Sequence, residues 1–271
     1  MLNAQGVTVE RRGRLLLDSV TVEIAPGRVT AIIGPNGAGK STFLKTLSGE
    51  IKPDRGSVLL AGRKLASFSA AELAARRAVV PQSTSLSFPF TAMEVIRLGA
   101  SVPGFDFVSA RAKDAAEQAL DAVDLEAFRD RLYSQLSGGE KQRVHIARAL
   151  CQLTSAHGGN GSECLLLDEP TASLDLPHQA LVLQEARHQA DAGRTVVVVM
   201  HDLNLAAAWA DEILLLCRGR LVGRGTPAEV FNDDLLSAAF GCTIIANRTP
   251  PAGVPFMLPQ LVRPTVSPRG S

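Results

Sequence analysis

The chain has 271 residues, of which 46% are hydrophobic, and 28 Lys and Arg residues against 27 Asp and Glu residues leave a formal net charge of +1. This length and apolar content can fill the core of one large domain or two small ones. The balanced charge gives no general attraction to nucleic acid or to an anionic membrane surface, so no nucleic-acid partner is expected. The cysteines form no C-x-x-C pair, which predicts reduced thiols in a cytosolic protein without a disulfide framework or metal site: Cys151, Cys164, Cys217 and Cys242.

The two ends of the sequence differ in character. Residues 1–14 carry charges without an apolar block behind them, so no signal peptide is expected. No uninterrupted apolar run approaches the roughly 20 residues that cross a bilayer, so membrane association is expected to go through a partner. A Pro-rich stretch after Gly241 predicts a tail over residues 246–271, disordered from about Val262.

The N-terminal part of the chain alternates short apolar runs with turn residues, a pattern typical of strands. Breaks are expected at Arg12-Gly13 and at Asp18-Ser19, because both pairs interrupt the apolar pattern. The predicted strands cover residues 7–10, 15–17, 20–24, 29–33, 57–60 and 79–80, and a helix is predicted over residues 72–77.

The pattern changes from residue 83 to about residue 153, where alanines and charges recur at helical spacing. This segment predicts a helical insertion between two parts of an α/β core, with helices over residues 92–98, 109–122, 126–131 and 136–150. Residues 154–163 are glycine-rich and are expected to form a mobile surface loop. Beyond them, continuous apolar runs predict buried parallel strands at residues 164–167 and 195–200, joined by a helix over residues 177–192. A further helix is expected over residues 203–210 and a hairpin at residues 212–222.

A glycine-rich segment between the predicted strand 29–33 and a helix has the residues of a phosphate-binding loop: Gly34, Pro35, Asn36, Gly37, Ala38, Gly39, Lys40, Ser41 and Thr42. Glycines let backbone N–H groups turn toward phosphate oxygens, and the helix N-terminus favours the same negative charge. Lys40 is expected to reach the β- and γ-phosphates, and Ser41 to bind Mg²⁺. A plain glycine turn does not account for Lys40 and Ser41 together. The segment therefore predicts binding of a nucleoside triphosphate.

Two carboxylates and a histidine follow the later apolar strands. Asp168 and Glu169 stand at the carboxyl end of the first, where parallel sheets place ligand-handling residues. Adjacent buried carboxylates are unfavourable without a cation or a shared proton, so Asp168 is assigned to Mg²⁺ and Glu169 to the attacking water as general base. A simple loop start at residues 169–171 is the alternative. His201 follows the second strand, which favours contact with a γ-phosphate, although a single histidine is more often structural.

Residues 136–140 contain a second set of glycines at the start of a predicted helix. Ser137 and Glu140 form a capping box, and the paired Gly138 and Gly139 weaken the helix that they begin. Glycines at a helix N-terminus let backbone N–H groups approach an anion. One nucleotide does not need two phosphate sites from one subunit, so the sequence predicts a homodimer that shares nucleotides across its interface.

These motifs together resemble the ATP-binding subunit of an ABC transporter over residues 5–245. The resemblance implies an α/β fold: a P-loop NTPase (RecA-like) core with an N-terminal antiparallel β subdomain and an inserted α-helical subdomain. It implies one ATPase domain over residues 1–245, with the core and β subdomain in residues 1–82 and 160–245 and the helical subdomain in residues 83–153.

The resemblance also implies a role for each motif. Gln82 is similar to the residue that senses Mg²⁺ and the attacking water, Glu169 to the catalytic base and His201 to the switch histidine. Residues 136–140 resemble the signature that binds the γ-phosphate held by the opposite subunit, and residues 173–175 resemble the D-loop. One position departs from the family: Arg11 stands where an aromatic residue usually stacks on adenine, and an arginine could stack by a cation–π contact.

Several segments are most similar to importers of iron chelates and cobalamin, and to heme importers in particular: residues 47–50, 77–82, 87–91 and 223–231. The resemblance implies a peripheral ATPase on the cytoplasmic face of a bacterial inner membrane, paired with a permease dimer and a periplasmic substrate-binding protein. Ferric siderophore or cobalamin is the alternative cargo. A soluble ABC protein of repair or translation, and a module that holds ATP without hydrolysing it, are the alternative functions. Phe88, Phe90, Val95 and Ile96 are expected either to contact the permease or to form the core of the insertion.

Overall fold

The computed structural model describes residues 1–82, 88–101, 109–155 and 163–258. The strands in these ranges are β1 (Leu2–Arg11), β2 (Arg14–Ile24), β3 (Arg28–Ile33), β4 (Arg55–Leu60), β5 (Arg63–Lys64), β6 (Arg77–Val80), β7 (Cys164–Asp168), β8 (Thr195–Val199), β9 (Glu212–Cys217) and β10 (Arg220–Gly225). They form a four-stranded sheet in the order β2-β1-β4-β5 and a six-stranded sheet in the order β10-β9-β3-β8-β7-β6.

The helices in the same ranges surround the six-stranded sheet and extend from it. They are α1 (Lys40–Ser48), α2 (Ala70–Ala74), α3 (Ala92–Arg97), α4 (Ala110–Ala122), α5 (Gly138–Ser155), α6 (Leu176–Asp191), α7 (Leu203–Trp209), α8 (Pro227–Val230) and α9 (Asp233–Phe240). None of the helices within the described residues has both the length and the apolar character needed to cross a bilayer.

The four-stranded sheet is antiparallel, and its first hairpin is longer than the sequence predicts. The break expected at Asp18-Ser19 is wrong, because β2 continues through it as an irregularity in the register with β1. Ser19 takes a left-handed φ of 52°, and its N–H donates to Oγ1 of Thr8 at 3.1 Å. This contact with the neighbouring strand keeps the chain in the sheet where the local sequence indicates a turn.

The six-stranded sheet carries the predicted βαβ unit. β7 and β8 pair in parallel, α6 connects them, and every residue of both strands is buried. β3 lies between β8 and β9 and pairs in parallel with both. The hairpin predicted at residues 212–222 is confirmed as the antiparallel pair of β9 and β10.

Three helix predictions need correction. The helix expected over residues 72–77 covers Ala70–Ala74, because Ser69 and Glu72 form a capping box at its start and Arg77 begins β6. The helix expected over residues 126–131 is a single 3-10 turn, Glu126–Phe128. The helix expected to end near residue 150 continues to Ser155, since its last turns stay buried against its neighbours.

The two faces of the six-stranded sheet belong to different cores. Along β3, Ala31 and Ile33 pack with α3, α4, α5 and α6, whereas Ile32 packs with the four-stranded sheet and α1. α3 and α5 approach closely near Gly99, where a Cβ atom would lie 2.1 Å from the Arg148 carbonyl oxygen. Val95 and Ile96 are fully buried in this core, so both residues belong to the core of the insertion and not to an exposed contact surface.

Some sequence predictions fall wholly or partly outside the described residues. The segment expected to dock a permease includes residues 83–87, the expected surface loop includes residues 156–162, and the expected tail includes residues 259–271. Residues 154–155 of that expected loop belong to α5. Among the cysteines, Cys151 and Cys164 are buried, whereas Cys242 is exposed and is not a core thiol.

A buried imidazole lies inside the helical region. Nε2 of His145, on α5, lies 2.7 Å from the hydroxyl oxygen of Tyr133, and the side chain is 2% exposed. Among the described residues, Nδ1 of His145 has no hydrogen-bond partner. Burial, reinforced by the positive charge of Arg148, lowers the pKa of His145 from 6.5 to about 4. The folded protein therefore holds this residue neutral at physiological pH.

The depressed pKa of His145 predicts acid sensitivity of the fold. Since the unfolded chain binds this proton below about pH 6.5 and the folded chain only below about pH 4, stability falls as pH falls through that interval, with a slope of up to about 1.4 kcal/mol per pH unit. Urea denaturation at several pH values should show that the free energy of unfolding changes less steeply with pH in His145→Gln than in the wild type. His188→Gln, at an exposed histidine, is the control and should keep the wild-type slope. Equal slopes in all three proteins would contradict the assignment.

Candidate active site

The loop between β3 and α1 is shaped by close contacts that only glycine permits. At Gly34, with φ 144°, a Cβ atom would lie 2.0 Å from the Leu216 carbonyl oxygen. At Gly39, with φ 102°, it would lie 2.7 Å from the Leu16 carbonyl oxygen. Any side chain at either position would displace backbone and strain the loop. The loop therefore curls tightly over the N-terminus of α1, as an anion site requires.

Lys40 projects into this loop from the first position of α1. Its side chain is 5% exposed, and Nζ donates to the carbonyl oxygens of Gly34 at 2.8 Å and Pro35 at 3.0 Å. Burial lowers the pKa of Lys40, while the charges of Glu169 and Asp168 act in the opposite direction. The ammonium group is thus held inside a partly desolvated site where a polyphosphate would add favourable charge.

Asp168 ends β7 and faces the first turn of α1. Ser41 Oγ donates to Asp168 Oδ1 at 3.1 Å, and Asp168 is 3% exposed. Burial raises the pKa of this carboxyl group, with the Ser41 hydrogen bond opposing the shift. Within the described ranges no group of three or more His, Cys, Asp or Glu residues could hold a metal ion. A hydroxyl and one carboxylate instead fit Mg²⁺, which takes few protein oxygens and completes its shell with phosphate and water.

Glu169 lies at the centre of a convergence of three polar side chains. Gln82 Nε2, after β6, donates to Glu169 Oε2 at 2.8 Å. His201 Nε2, after β8, lies 2.5 Å from Glu169 Oε1. Glu169 itself has a left-handed φ of 51°, an unusual conformation for a non-glycine residue. The carboxyl ends of three neighbouring strands therefore bring together the three residues that the sequence assigns to catalysis beside Lys40.

These residues line one cavity of about 520 Å³. Its lining consists of Asn36, Gly37, Gly39, Lys40, Ser41, Thr42, Gln82, Glu169 and His201. Every one of these residues belongs to the set that the sequence singles out. The cavity combines backbone amides, an ammonium group, a hydroxyl and a carboxylate, which is a suitable arrangement for binding and hydrolysing a phosphoanhydride.

The second glycine motif does not line this cavity. Ser137 N–H donates to Glu140 Oε2 at 2.6 Å and Glu140 N–H donates to Ser137 Oγ at 3.3 Å, so the predicted capping box is present. Gly138 has open space around it, whereas a Cβ atom at Gly139 would lie 2.9 Å from the Ser173 carbonyl oxygen. The segment packs on residue 173 instead of on the phosphate loop of its own chain.

Arg11 does not line the cavity either. Its Nη1 donates to the Glu10 carbonyl oxygen at 2.7 Å and to Asp54 Oδ2 at 3.2 Å, and the side chain is about half exposed.

The turn between β9 and β10 supports the phosphate loop, and the sequence does not predict this contact. Gly219 N–H donates to the Ala38 carbonyl oxygen at 2.9 Å. The predicted hairpin at residues 218–219 locates this turn, but nothing local indicates its contact with the phosphate loop.

Comparison with known proteins identifies the family. Residues 17–172, more than half of the chain, match the ABC transporter family. The chain belongs to the ABC transporter ATP-binding family. It is therefore an ATP-binding protein and an ABC-type ATPase with the P-loop NTPase fold, as the sequence predicts.

Individual relatives agree with this family. The chain is 46% identical over 260 residues to the hemin import ATP-binding protein HmuV of Rhizobium meliloti (strain 1021) and 48% identical over 260 residues to that of Chelativorans sp. (strain BNC1). Each alignment covers 96% of this chain and 98% of the relative. Among solved structures, the dimeric ATP-binding cassette MJ0796 in a post-hydrolysis state with ADP and Pi is 30% identical, with a TM-score of 0.73, over 84% of this chain and 99% of that chain.

The packing of the ABC signature glycines gives a stability prediction. Gly139→Ala should destabilise the nucleotide-free protein by about 1–3 kcal/mol, because its methyl group overlaps the Ser173 carbonyl oxygen. Gly138→Ala, one residue away in open space, should not destabilise the protein and should stabilise it by up to about 1 kcal/mol, because alanine favours the helix. Urea denaturation of the two variants measures the difference. Equal stabilities would show that the close approach to residue 173 is absent in solution.

Proposed function

We propose that this chain is the ATP-hydrolysing motor of a bacterial importer that takes up heme. The observation that carries the catalytic part is the convergence of Gln82 and His201 on Glu169, beside Lys40 in one cavity. A module that only holds ATP would not need a carboxylate held between two such side chains. The names of the relatives, hemin import ATP-binding proteins at 46% and 48% identity, support the transport part.

In this proposal the residues at the loop bind the triphosphate and those beyond it act on water. Backbone amides of residues 34–42 and the Lys40 ammonium group hold the phosphates. Ser41, Asp168 and Gln82 would hold Mg²⁺, which would supply charge stabilisation at the phosphate oxygens. Glu169 accepts the proton of the attacking water as general base. His201 orients the Glu169 carboxylate and lies where it can sense the γ-phosphate.

The active unit is proposed to be a homodimer. Ser137, Gly138 and Gly139 do not line the cavity of their own chain, and the space around Gly138 is open. These residues are suited to bind the γ-phosphate of a nucleotide held by the P-loop of a second copy. The dimeric state of the cassette MJ0796 supports this arrangement. Arg11 remains the proposed contact for adenine, with its guanidinium group held by Asp54.

The proposed membrane partner is a permease dimer, contacted through the helical region after Gln82. Phe88 is 69% exposed, and its ring lies 6.0 Å from that of Phe90, which is partly buried against the core. An exposed aromatic residue anchored by a second one is typical of a protein contact. The chain would therefore be peripheral, at the cytoplasmic face of the inner membrane, and a periplasmic binding protein would deliver the cargo. The domain boundaries at residues 1–245 and 246–271 remain part of this proposal.

The catalytic assignment is tested with Glu169→Gln. Loss of the general base should slow ATP hydrolysis by about 10²–10⁴-fold while ATP binding persists, so that an ATP-bound dimer accumulates. Light scattering should show a doubled mass with ATP. Lys40→Ala, which loses the phosphate contact, is the comparison variant and should neither hydrolyse ATP nor form the dimer. Hydrolysis by Glu169→Gln at the wild-type rate would refute the assignment.

The cargo is tested with the tagged chain purified together with its native permease. Binding protein loaded with heme should stimulate ATP hydrolysis, whereas protein loaded with a ferric siderophore or cobalamin should not. Unloaded binding protein is the control. Stimulation by another chelate alone would replace heme as cargo, and absence of any permease would favour a soluble ABC ATPase.

A further inference from the structure

A group of polar contacts outside the cavity joins the helical region to the core. Four residues make these contacts: Arg143 on α5, Asp124 after α4, and Asp175 and His178 at the start of α6. These four residues are here called the α4–α6 bridge, and one of them, Asp175, is the last residue of the segment 173–175. The active site described above uses none of them.

On one side of the bridge, a buried arginine fixes the end of α4. Arg143 Nη1 donates to the carbonyl oxygens of Val123 at 2.9 Å and Asp124 at 2.5 Å, and its side chain is 6% exposed. Asp124 follows α4 with a left-handed φ of 54°. The turn therefore directs the Asp124 carboxylate outward from α4, with the arginine holding its backbone in place.

On the other side, a histidine faces two carboxylates. Asp175 caps α6 and accepts from the His178 backbone N–H at 3.3 Å, and its Oδ1 also contacts His178 Nδ1. His178 Nε2 lies 3.8 Å from Asp124 Oδ2, within ion-pair distance. An imidazole presents one polar nitrogen on each side of its ring. His178 is thus placed to join the start of α6 to the end of α4.

The same two parts of the chain also meet beside the signature glycines. The Ser173 carbonyl oxygen occupies the space that a Cβ atom at Gly139 would need, and Leu174 packs next to it. Residues 173–175 therefore contact the start of α5 directly and are tied to the end of α4 through His178. Two separate contacts fix one orientation of this segment relative to the signature.

A helix cap alone does not explain His178. Asp175 satisfies the cap through its contact with the backbone N–H, and this contact requires no imidazole at position 178. A matched pair exists on the same helix: His188 Nδ1 lies 3.3 Å from Glu185 Oε2 at the same spacing, and the His188 side chain is 52% exposed. His178 differs from His188 because it also faces the carboxylate of Asp124, which lies outside α6.

We infer that Asp124 and His178 are positioning residues that hold residues 173–175 against the signature of the same subunit. The inference rests on the proposed function: when two copies close on ATP, both segments must reach the second copy in one fixed relation. The bridge holds residues 173–175 in a fixed position relative to the signature. It takes no part in nucleotide binding by the single chain, which depends on the P-loop.

The test uses His178→Ala and Asp124→Gly, because glycine accepts the left-handed conformation at position 124 without strain. Each variant should lower kcat for ATP hydrolysis by about two- to fivefold, the effect of one lost exposed ion pair, with KM changed less than about twofold. Thermal melting should stay within about 2 °C of the wild type. The double variant should be no slower than His178→Ala, because His178→Ala already removes the contact that Asp124→Gly removes.

Two further variants separate positioning from general disturbance. Asp124→Asn tolerates the left-handed conformation and keeps the size of the side chain but loses its charge, so it should lower kcat as much as Asp124→Gly. His188→Ala removes the matched histidine and should leave kcat unchanged. Additive losses in the double variant, or losses that follow the melting temperature, would overturn the inference in favour of a structural role.

The outcome also separates this inference from the proposed function. Dimer formation by Glu169→Gln on ATP tests the proposed function by itself, with the bridge intact. If that dimer forms and His178→Ala hydrolyses ATP at the wild-type rate, only the inference fails. If His178→Ala raises KM with kcat unchanged, the bridge serves nucleotide binding and the inference fails as well.

Discussion

The arrangement of this protein depends on charges that the fold buries at one edge of the six-stranded sheet. Burial lowers the pKa of Lys40 and raises the pKa of Asp168, so both side chains are less favourable in their charged forms than in water. Neutral partners hold them meanwhile: the carbonyl oxygens of residues 34 and 35 for the ammonium group, and the Ser41 hydroxyl for the carboxylate. A bound polyphosphate would add favourable charge beside the Lys40 ammonium group, so the polarity of this edge of the sheet suits an anionic ligand.

The phosphate loop is held by strands from both sheets. The Leu216 carbonyl oxygen on β9 fills the space beside Gly34, and the Leu16 carbonyl oxygen on β2 fills the space beside Gly39. Gly219 adds a hydrogen bond to the Ala38 carbonyl oxygen. The loop conformation is therefore set by neighbouring backbone and not by the loop alone, which explains why a short glycine motif needs the surrounding fold to become a binding site.

The sequence predicts those parts whose signal is local. The continuous apolar runs of β7 and β8 follow from local patterns, as do the cavity residues other than Gln82. Gln82 is assigned only through the family resemblance. The continuity of β2 through Ser19 depends on a hydroxyl of Thr8 in another strand, and no local pattern contains that information. Arg11 and Asp54 are 43 positions apart in the sequence, and no local pattern predicts their pairing either. The sequence does not predict whether Val95 and Ile96 are buried, because apolar residues occur both in a core and on a docking face.

The signature shows how a local weakness connects with the rest of the protein. Two glycines begin α5 although glycine lowers helix stability by about 1 kcal/mol per residue. Only Gly139 has a packing reason within the chain, its contact with residue 173, and Gly138 has none among the described residues. The open space beside Gly138 leaves room for an anion to approach the start of α5. Because Gly139 packs on the Ser173 carbonyl oxygen, the position of the start of α5 and the position of residues 173–175 depend on each other.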